Sequence, residues 1–381
     1  MSKRRNRVCG ADVHKDLIVA TIQCSDETML REKFGTTHSE LERFRDWLIA
    51  YNCEQVAFEA TGAYWFPVYD VLGPSIDTIV ANPWMIKGLP KDKSDDHDSK
   101  SIAGFCLNGQ IKRSRIFSKE DRDLRTTTRA RSGYIKTRTQ FRNRIHKYLA
   151  LRGIKLSSCI SSIFGKSGRY ILDGLVEGKN IDTILDGIPS GRIRKKRDLI
   201  KVAIGNGFDE VTRLLVKDAL DILDNLENKV EKTSQEILNR TLKKSKDLAI
   251  VMSVPGISFV AGSIILSEIG DYRDFKTPEQ LAKWCGLVPG LNESAGKKKP
   301  CGITKQGSKY LRTILVEMIC IIYHLLVNQE LYEEGSNKPI ASKPDKNGLA
   351  SFSEEQLQVK VAAIVDAYYH LNQSNASEGG G

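Results

Sequence analysis

No stretch of this 381-residue chain reaches the roughly 18 consecutive apolar residues that a membrane span needs. The most apolar run, Leu315 to Val327, is shorter and is interrupted by His324. The basic opening Met1-Ser2-Lys3-Arg4-Arg5-Asn6-Arg7 leads into a strand pattern, not into the apolar core of a secretory signal. The eight cysteines are scattered and form no Cys-x-x-Cys pair, so a Cys/His zinc site has no support. Most sit in apolar contexts, and reduced, buried thiols of a cytoplasmic protein are expected. An acidic excess is also lacking. Against 47 Asp and Glu stand 58 Lys and Arg, giving a net charge of +11 and a pI near 9.1. That balance calls for a polyanionic partner, nucleic acid or an anionic membrane surface, and nucleic acid rather than membrane is the expected one. The length allows two or three domains.

Four carboxylates stand out in the first hundred residues. Asp12 lies in Cys9-Gly10-Ala11-Asp12-Val13-His14-Lys15, Glu59 ends the apolar run Gln55 to Phe58, and Asp95 and Asp98 lie in Lys93-Ser94-Asp95-Asp96-His97-Asp98. The surrounding pattern reads as three strands, helix, strand, helix, strand, helix. A hairpin flanks His14-Lys15-Asp16, a third strand covers Met29 to Phe34, and Thr37 and Ser39 are N-cap candidates for a helix with Leu41, Phe44, Leu48 and Tyr51 on its apolar face. This is the element order of a ribonuclease-H-like α/β fold, in which the first strand meets the fourth at the sheet centre and a late helix lies against them. Asp12 and Glu59 then sit on neighbouring strands, and Asp95 and Asp98, three apart, share a helix face. An acid at a strand end is often only a turn or cap residue. Four in this order are better explained by a hard cation holding otherwise repelling charges.

Residues 112–155 hold fifteen Lys and Arg against three acids. Tyr134, Phe141 and Tyr148 recur every seven residues with Ile145 and Leu149 on the same side, the pattern of a packing seam on an amphipathic helix. Its basic faces, with Arg138 and Arg142, are candidates for phosphate contacts. Residues 156–200 read as a connecting region of short helices ending in Arg192-Ile193-Arg194-Lys195-Lys196-Arg197. Leu215, Ala219, Ile222, Leu226, Val230, Thr233 and Ile237 then step like a coiled-coil seam that pairs with the basic helix, within or between subunits.

Val254-Pro255-Gly256-Ile257-Ser258 separates two apolar helical runs, like a helix-hairpin-helix whose turn aims N–H groups at a phosphate through Gly256. A plain tight turn between two core helices is the competing reading. Between Gly286 and Ser308, five glycines, two prolines and four lysines make a polar, mobile loop. It carries Ser294 followed by Lys297, Lys298 and Lys299, then Lys305. A helix with Arg312 follows, and residues 330–381 read as a late helix and a flexible tail. The expected domains are 1–112, 113–245, 246–329 and 330–381.

Two blocks of this chain resemble the insertion-sequence 110 family of transposases, the group that includes the Piv-type DNA invertases. The first block is Gly10–Lys15, Glu59–Gly62 and Lys93–Ser99. The second is Pro255–Ser258, Gly286–Pro289, Ser294–Lys297, Ile303–Gly307 and Leu311–Arg312. Departures from the family pattern are Ser94 for Thr, Ser99 for Ala and Ser258 for Gly, and Asp96 offers a competing register to Asp95. The resemblance implies a RuvC-like Asp-Glu-Asp-Asp domain carried by Asp12, Glu59, Asp95 and Asp98, and a second, mainly helical domain with Ser294 as nucleophile. It also implies a structured guide RNA (a bridge RNA pairing with donor and target DNA) and work on the DNA of a prokaryotic nucleoid. The coiled coil adds the expectation of a homo-oligomer, dimer or tetramer, and a mobile loop on a separate domain leaves open whether Ser294 serves its own subunit's site or another's. Lys15 and Arg312, within the matching motifs, are expected nucleic-acid contacts.

The expected function is DNA recombination through a covalent serine–DNA link, assisted by one or two Mg²⁺ on Asp12, Glu59, Asp95 and Asp98. One alternative is a metal-dependent nuclease or Holliday-junction resolvase in which water attacks. Another is a non-enzymatic nucleic-acid-binding protein whose carboxylates are only structural.

Overall fold

The computed structural model describes residues 5–60, 62–82, 95–288, 292–294, 297–299, 303, 307–314 and 319–328. Lys305 and the expected late helix and tail after residue 330 lie outside the described residues, as do the side chains of Asp95, Ser294 and Lys297 to Lys299. The chain divides into two compact units, Met1–Ile116 and Phe117–Gly381.

The first unit is a five-stranded mixed sheet with helices. Its strands are β1 (Arg7–Val13), β2 (Ile18–Cys24), β3 (Met29–Phe34), β4 (Gln55–Glu59) and β5 (Asp77–Ala81), in the order β3-β2-β1-β4-β5. The pairs β1/β2 and β2/β3 are antiparallel, whereas β1/β4 and β4/β5 are parallel. The expected meeting of first and fourth strands is therefore present. β1, β2 and β4 carry near-continuous buried runs, as strands covered on both faces must. Helix α1 (His38–Ala50) buries Leu41, Phe44 and Leu48, one turn or so apart, and α2 (Trp65–Leu72) buries Val68 and Leu72 on the same core. Thr37 does occupy the N-cap of α1, but its hydroxyl meets Ser39 Oγ at 3.2 Å and makes no capping bond. Tyr51 stays 39% exposed because it lies past the last helical turn. Helix α3 (Asp95–Leu107) covers the opposite face, where Val8, Ala57, Ile79, Ala81, Ile102 and Cys106 form a smaller core. Burial pushes the Cys9 thiol up, and those of Cys53 and Cys106 up to about 12, so these thiols stay protonated.

The second unit is mostly helical. It is built on two long helices, α4 (Lys119–Leu151) and α10 (Glu210–Thr241), packed along each other. Ser118 caps α4 by accepting from the Asp121 amide, and Asp209 caps α10 by accepting from Thr212. The pairing is within the chain. Its seam runs through Val216, Ala219, Leu220, Leu223 and Leu226, whereas the expected seam residues Leu215 and Ile222 are 38% and 40% exposed. Phe141 and Tyr148 are half-buried in packing beside Ile145 and Leu149, as a seam requires.

Between the long helices the chain forms α5 (Leu156–Cys159), α6 (Lys166–Val176), α7 (Ile181–Asp186), α8 (Gly191–Arg194) and α9 (Arg197–Ile204). This stretch is no loose connector. Leu156, Ile163, Ile171, Leu172, Leu185 and Ile200 are fully or almost fully buried against Ile145 of α4 and Val216 of α10. A separate core holds Leu124 and Ile237 of the long helices together with α11 (Ser245–Met252), α12 (Phe259–Ile269), α13 (Pro278–Trp284), α14 (Lys309–Ile314) and α15 (Ile319–Asn328). A two-stranded ribbon, β6 (Asn292–Ser294) with β7 (Lys297–Lys299), replaces part of the expected loop. Among the described residues no helix is long and apolar enough to cross a membrane.

Candidate metal centre and serine ribbon

Asp12 and Glu59 are neighbours by strand register. Ala11 pairs with Phe58 across the parallel β1/β4 ladder, and each carboxylate is the next residue along, at the carboxyl end of its strand. Alternation of side chains places Asp12 on the face of Gly10 and Glu59 on the face of Ala57. That face is the one covered by α3. A Cβ built on Gly10 would come within 2.2 Å of the Ala103 amide nitrogen and 2.3 Å of the Ser99 carbonyl oxygen. Glycine is therefore what lets the helix backbone lie on β1.

The direction of α3 follows from its contacts. Ser99 Oγ shares a 2.8 Å hydrogen bond with Thr21 Oγ1, beside Gly10, and the Cys106 thiol donates to Gln55 Oε1 at the amino end of β4. The helix thus runs against β1 and β4, and its first turn, Asp95 to Asp98, lies toward the strand ends that carry Asp12 and Glu59. Ser99, where the family pattern has Ala, is fully buried and satisfied by Thr21, so its hydroxyl adds a tie between α3 and β2.

Asp12 is 17% exposed and its Oδ2 lies 3.1 Å from His14 Nε2, an ion pair only when the imidazole is protonated. Glu59 and Asp98 are half-buried. Lys15 is exposed in the β1–β2 turn, where its carbonyl accepts from Thr36. Carboxylates are the hard donors that Mg²⁺ prefers, so the chemistry of these residues fits that ion. Among the described residues no three carboxylate, imidazole or thiol side chains are close enough to bind one.

In the second unit, Ser294 pairs with Lys297, Glu293 with Lys298 and Asn292 with Lys299 across the β6/β7 ribbon. The serine thus shares a short ribbon with a run of three lysines. Further along, Gly307 allows close passage over α13, since a Cβ there would meet Trp284 O at 2.3 Å. Arg312 is half-buried and donates to the Gly307 carbonyl, fixing that crossing. Gly256, at φ +85°, turns the chain between α11 and α12. Ser258 caps α12, its hydroxyl accepting from the Ala261 amide at 3.3 Å, which gives its departure from glycine a structural role.

Glu268 is the residue that pattern reading missed. Fully buried in α12, it accepts from Arg129 at 2.6 and 2.9 Å and from Arg125 at 2.8 Å, both on α4. Burial raises its pKa, but the Arg129 bonds and the Arg125 charge outweigh this and leave it below the usual glutamate value. A lone acid in the apolar run Phe259–Ile269 is the signal that could have found it, because such a charge requires a cation. Two arginines of the basic helix are consequently committed to an internal clamp. Arg142 pairs with Glu227 at 3.0 Å, whereas Arg138 makes no ion pair among the described residues.

Residues 9–152 match the family model DEDD_Tnp_IS110, described as Transposase, and residues 248–332 match Transposase_20, described as Transposase IS116/IS110/IS902 family. A probable family 20 transposase of Pseudomonas aeruginosa is 26% identical over 264 residues, 68% of this chain and 69% of its own. The transposase for insertion sequence element IS1111A of Coxiella burnetii is 23% identical over 264 residues, 68% of this chain and 64% of its own. The transposase for insertion sequence element IS1328 of Yersinia enterocolitica is 28% identical over 88 residues, 23% of this chain and 26% of its own.

Proposed function

The chain belongs to the IS110 family of transposases, and from that premise we propose that it cuts and rejoins DNA through a metal-assisted, covalent serine–DNA intermediate. The observation that carries this reading is the placement of Asp12 and Glu59 side by side at the ends of β1 and β4, with α3 laid on the same face. That arrangement supports a ribonuclease-H-like, RuvC-like first unit. Asp12, Glu59, Asp95 and Asp98 would hold Mg²⁺. When bound, the ion supplies Lewis-acid stabilisation of phosphoryl oxygens.

Ser294 would be the nucleophile. Its Oγ–P bond forms as the backbone P–O bond breaks. The serine proton is lost, and the leaving sugar oxygen keeps the bonding pair and is protonated. The phosphodiester energy stays in the phosphoserine link, so a new DNA hydroxyl can attack it, release Ser294 and reseal the strand without ATP. Lys297 to Lys299 and Lys305 would hold phosphates, with Lys15, Arg138, Arg142, Arg312 and the Gly256 turn as further contacts. The excess positive charge supports a second polyanion, a structured guide RNA, and the family resemblance supports a homo-oligomer. The test is incubation of wild type and Ser294→Ala with donor and target DNA. Recombination by wild type alone supports the serine. Cleaved, unjoined products from both indicate water as nucleophile.

A further inference from the structure

The two family matches end at residue 152 and resume at residue 248. Within that gap, residues 153–208 form the packed module α5–α9, inserted between the ends of α4 and α10. It holds ten Lys and Arg against five acids. Most of its acids are neutralised inside the unit: Asp173 by Arg169, Glu177 by Lys179, Asp182 by Arg197 and Lys201, and Asp186 by Arg197. Six cations, Lys155, Lys166, Arg192, Arg194, Lys195 and Lys196, make no ion pair among the described residues, and all six are exposed.

The basic turn is held in a fixed place. Arg194 donates to the Ile188 carbonyl, Lys196 Nζ donates to the Cys159 carbonyl at 3.0 Å, and the Lys155 amide donates to the Ala203 carbonyl. These bonds seat residues 192–196 and Lys155 around α5, whose Ser157 and Ser158 are exposed. Lysine, arginine and serine side chains on a rigid frame are the groups that contact phosphate oxygens. The helices of the module bury most of their apolar residues against α4 and α10, with Leu199 and Val202 of α9 left exposed, and none is longer than 11 residues. Five of the six cations, all but Lys166, lie on or beside the four-residue helices α5 and α8, which are too short to lie along a groove and read bases.

We propose that this module is a sequence-independent clamp on the backbone of duplex DNA. The proposal rests on the transposase reading only for the choice of polyanion. Its test uses the full chain, as wild type and as the triple variant Lys155→Gln, Arg192→Gln, Lys195→Gln. Binding to two labelled DNA duplexes of unrelated sequence is measured by fluorescence anisotropy over a range of salt, with an RNA hairpin as a parallel arm. Each lost phosphate contact lowers the slope of log K against log salt by about 0.9, so the variant should lose about two to three in slope and at least about tenfold in affinity near 0.1 M salt. The loss should be equal for both duplexes, with an unchanged thermal midpoint. An unchanged slope overturns the proposal, as does a loss confined to the RNA hairpin. Ser294→Ala separates this from the catalytic reading, because it should keep the full salt slope whatever it does to strand joining.

Discussion

Gly10 of β1 lies directly under the backbone of Ala103 in α3, so close that a Cβ at Gly10 would come within 2.2 Å of the Ala103 nitrogen. This contact sets how near the first turn of α3 comes to the strand ends bearing Asp12 and Glu59. Gly10→Ala should lift the helix, cost about 1–3 kcal/mol or more of stability, and abolish strand cleavage even where the protein remains folded. Thermal denaturation together with a cleavage assay checks both effects.

Ser99 and Thr21 form the hydroxyl pair beside that contact, and both are fully buried. Ser99→Ala should cost about 1 kcal/mol, because Thr21 loses a partner and keeps only the 3.4 Å donor from Arg31. Combining it with Thr21→Val removes both hydroxyls, and the double variant should be more stable than the sum of the single losses. A denaturant-melt double-mutant cycle reads the coupling.

Asp12→Asn, Glu59→Gln and Asp98→Asn should each slow strand cleavage by about a hundredfold or more, since several kcal/mol of charge stabilisation are lost. Their thermal midpoints without metal should not fall, whereas the rise in midpoint that Mg²⁺ gives the wild type should shrink. A variant that cleaves at the wild-type rate would remove that residue from the ligand set.

Glu268→Ala breaks the clamp between α12 and α4. Removing one partner of a buried pair costs about 3–5 kcal/mol. The low end is expected, because the side chains of Arg125 and Arg129 are 22% and 40% exposed and can hydrate. The folded-state pKa of Glu268 lies below its ordinary value. Its contribution is therefore present above the unfolded glutamate pKa of about 4.3 and is lost as pH falls through the folded value. The difference in midpoint between wild type and Glu268→Gln should be large at neutral pH and should shrink in acid. A difference that grows in acid would contradict the clamp.

Much of the first unit was legible because its signals are local. Short runs punctuated by turns, apolar in all but β3, gave the strands, and the spacing of Leu41, Phe44 and Leu48 gave α1. The placement of Asp12 beside Glu59 needed only the strand order. What was not legible depended on partners far away in sequence. Leu215 and Ile222 fit a seven-residue seam as well as Val216 and Leu223 do, and only the packing of α4 against α10 selects the latter pair. Residues 156–200 read as a connecting region because the helices there run 4 to 11 residues, too short for a clear period. Glu268 went unread because its two cations lie 139 and 143 residues away. In the Ser294 stretch, glycine and lysine content masked a ribbon whose pairing is a backbone property.

The proposed reaction turns on the covalent serine. The most direct measurement is denaturing electrophoresis of the wild-type protein after reaction with labelled DNA and Mg²⁺, followed by mass spectrometry of the shifted band. The expected result is a DNA-linked protein whose modified peptide carries phosphate on Ser294, and no such band with Ser294→Ala. Free, cleaved DNA ends with no linked protein, or a linked band that survives Ser294→Ala, would contradict it.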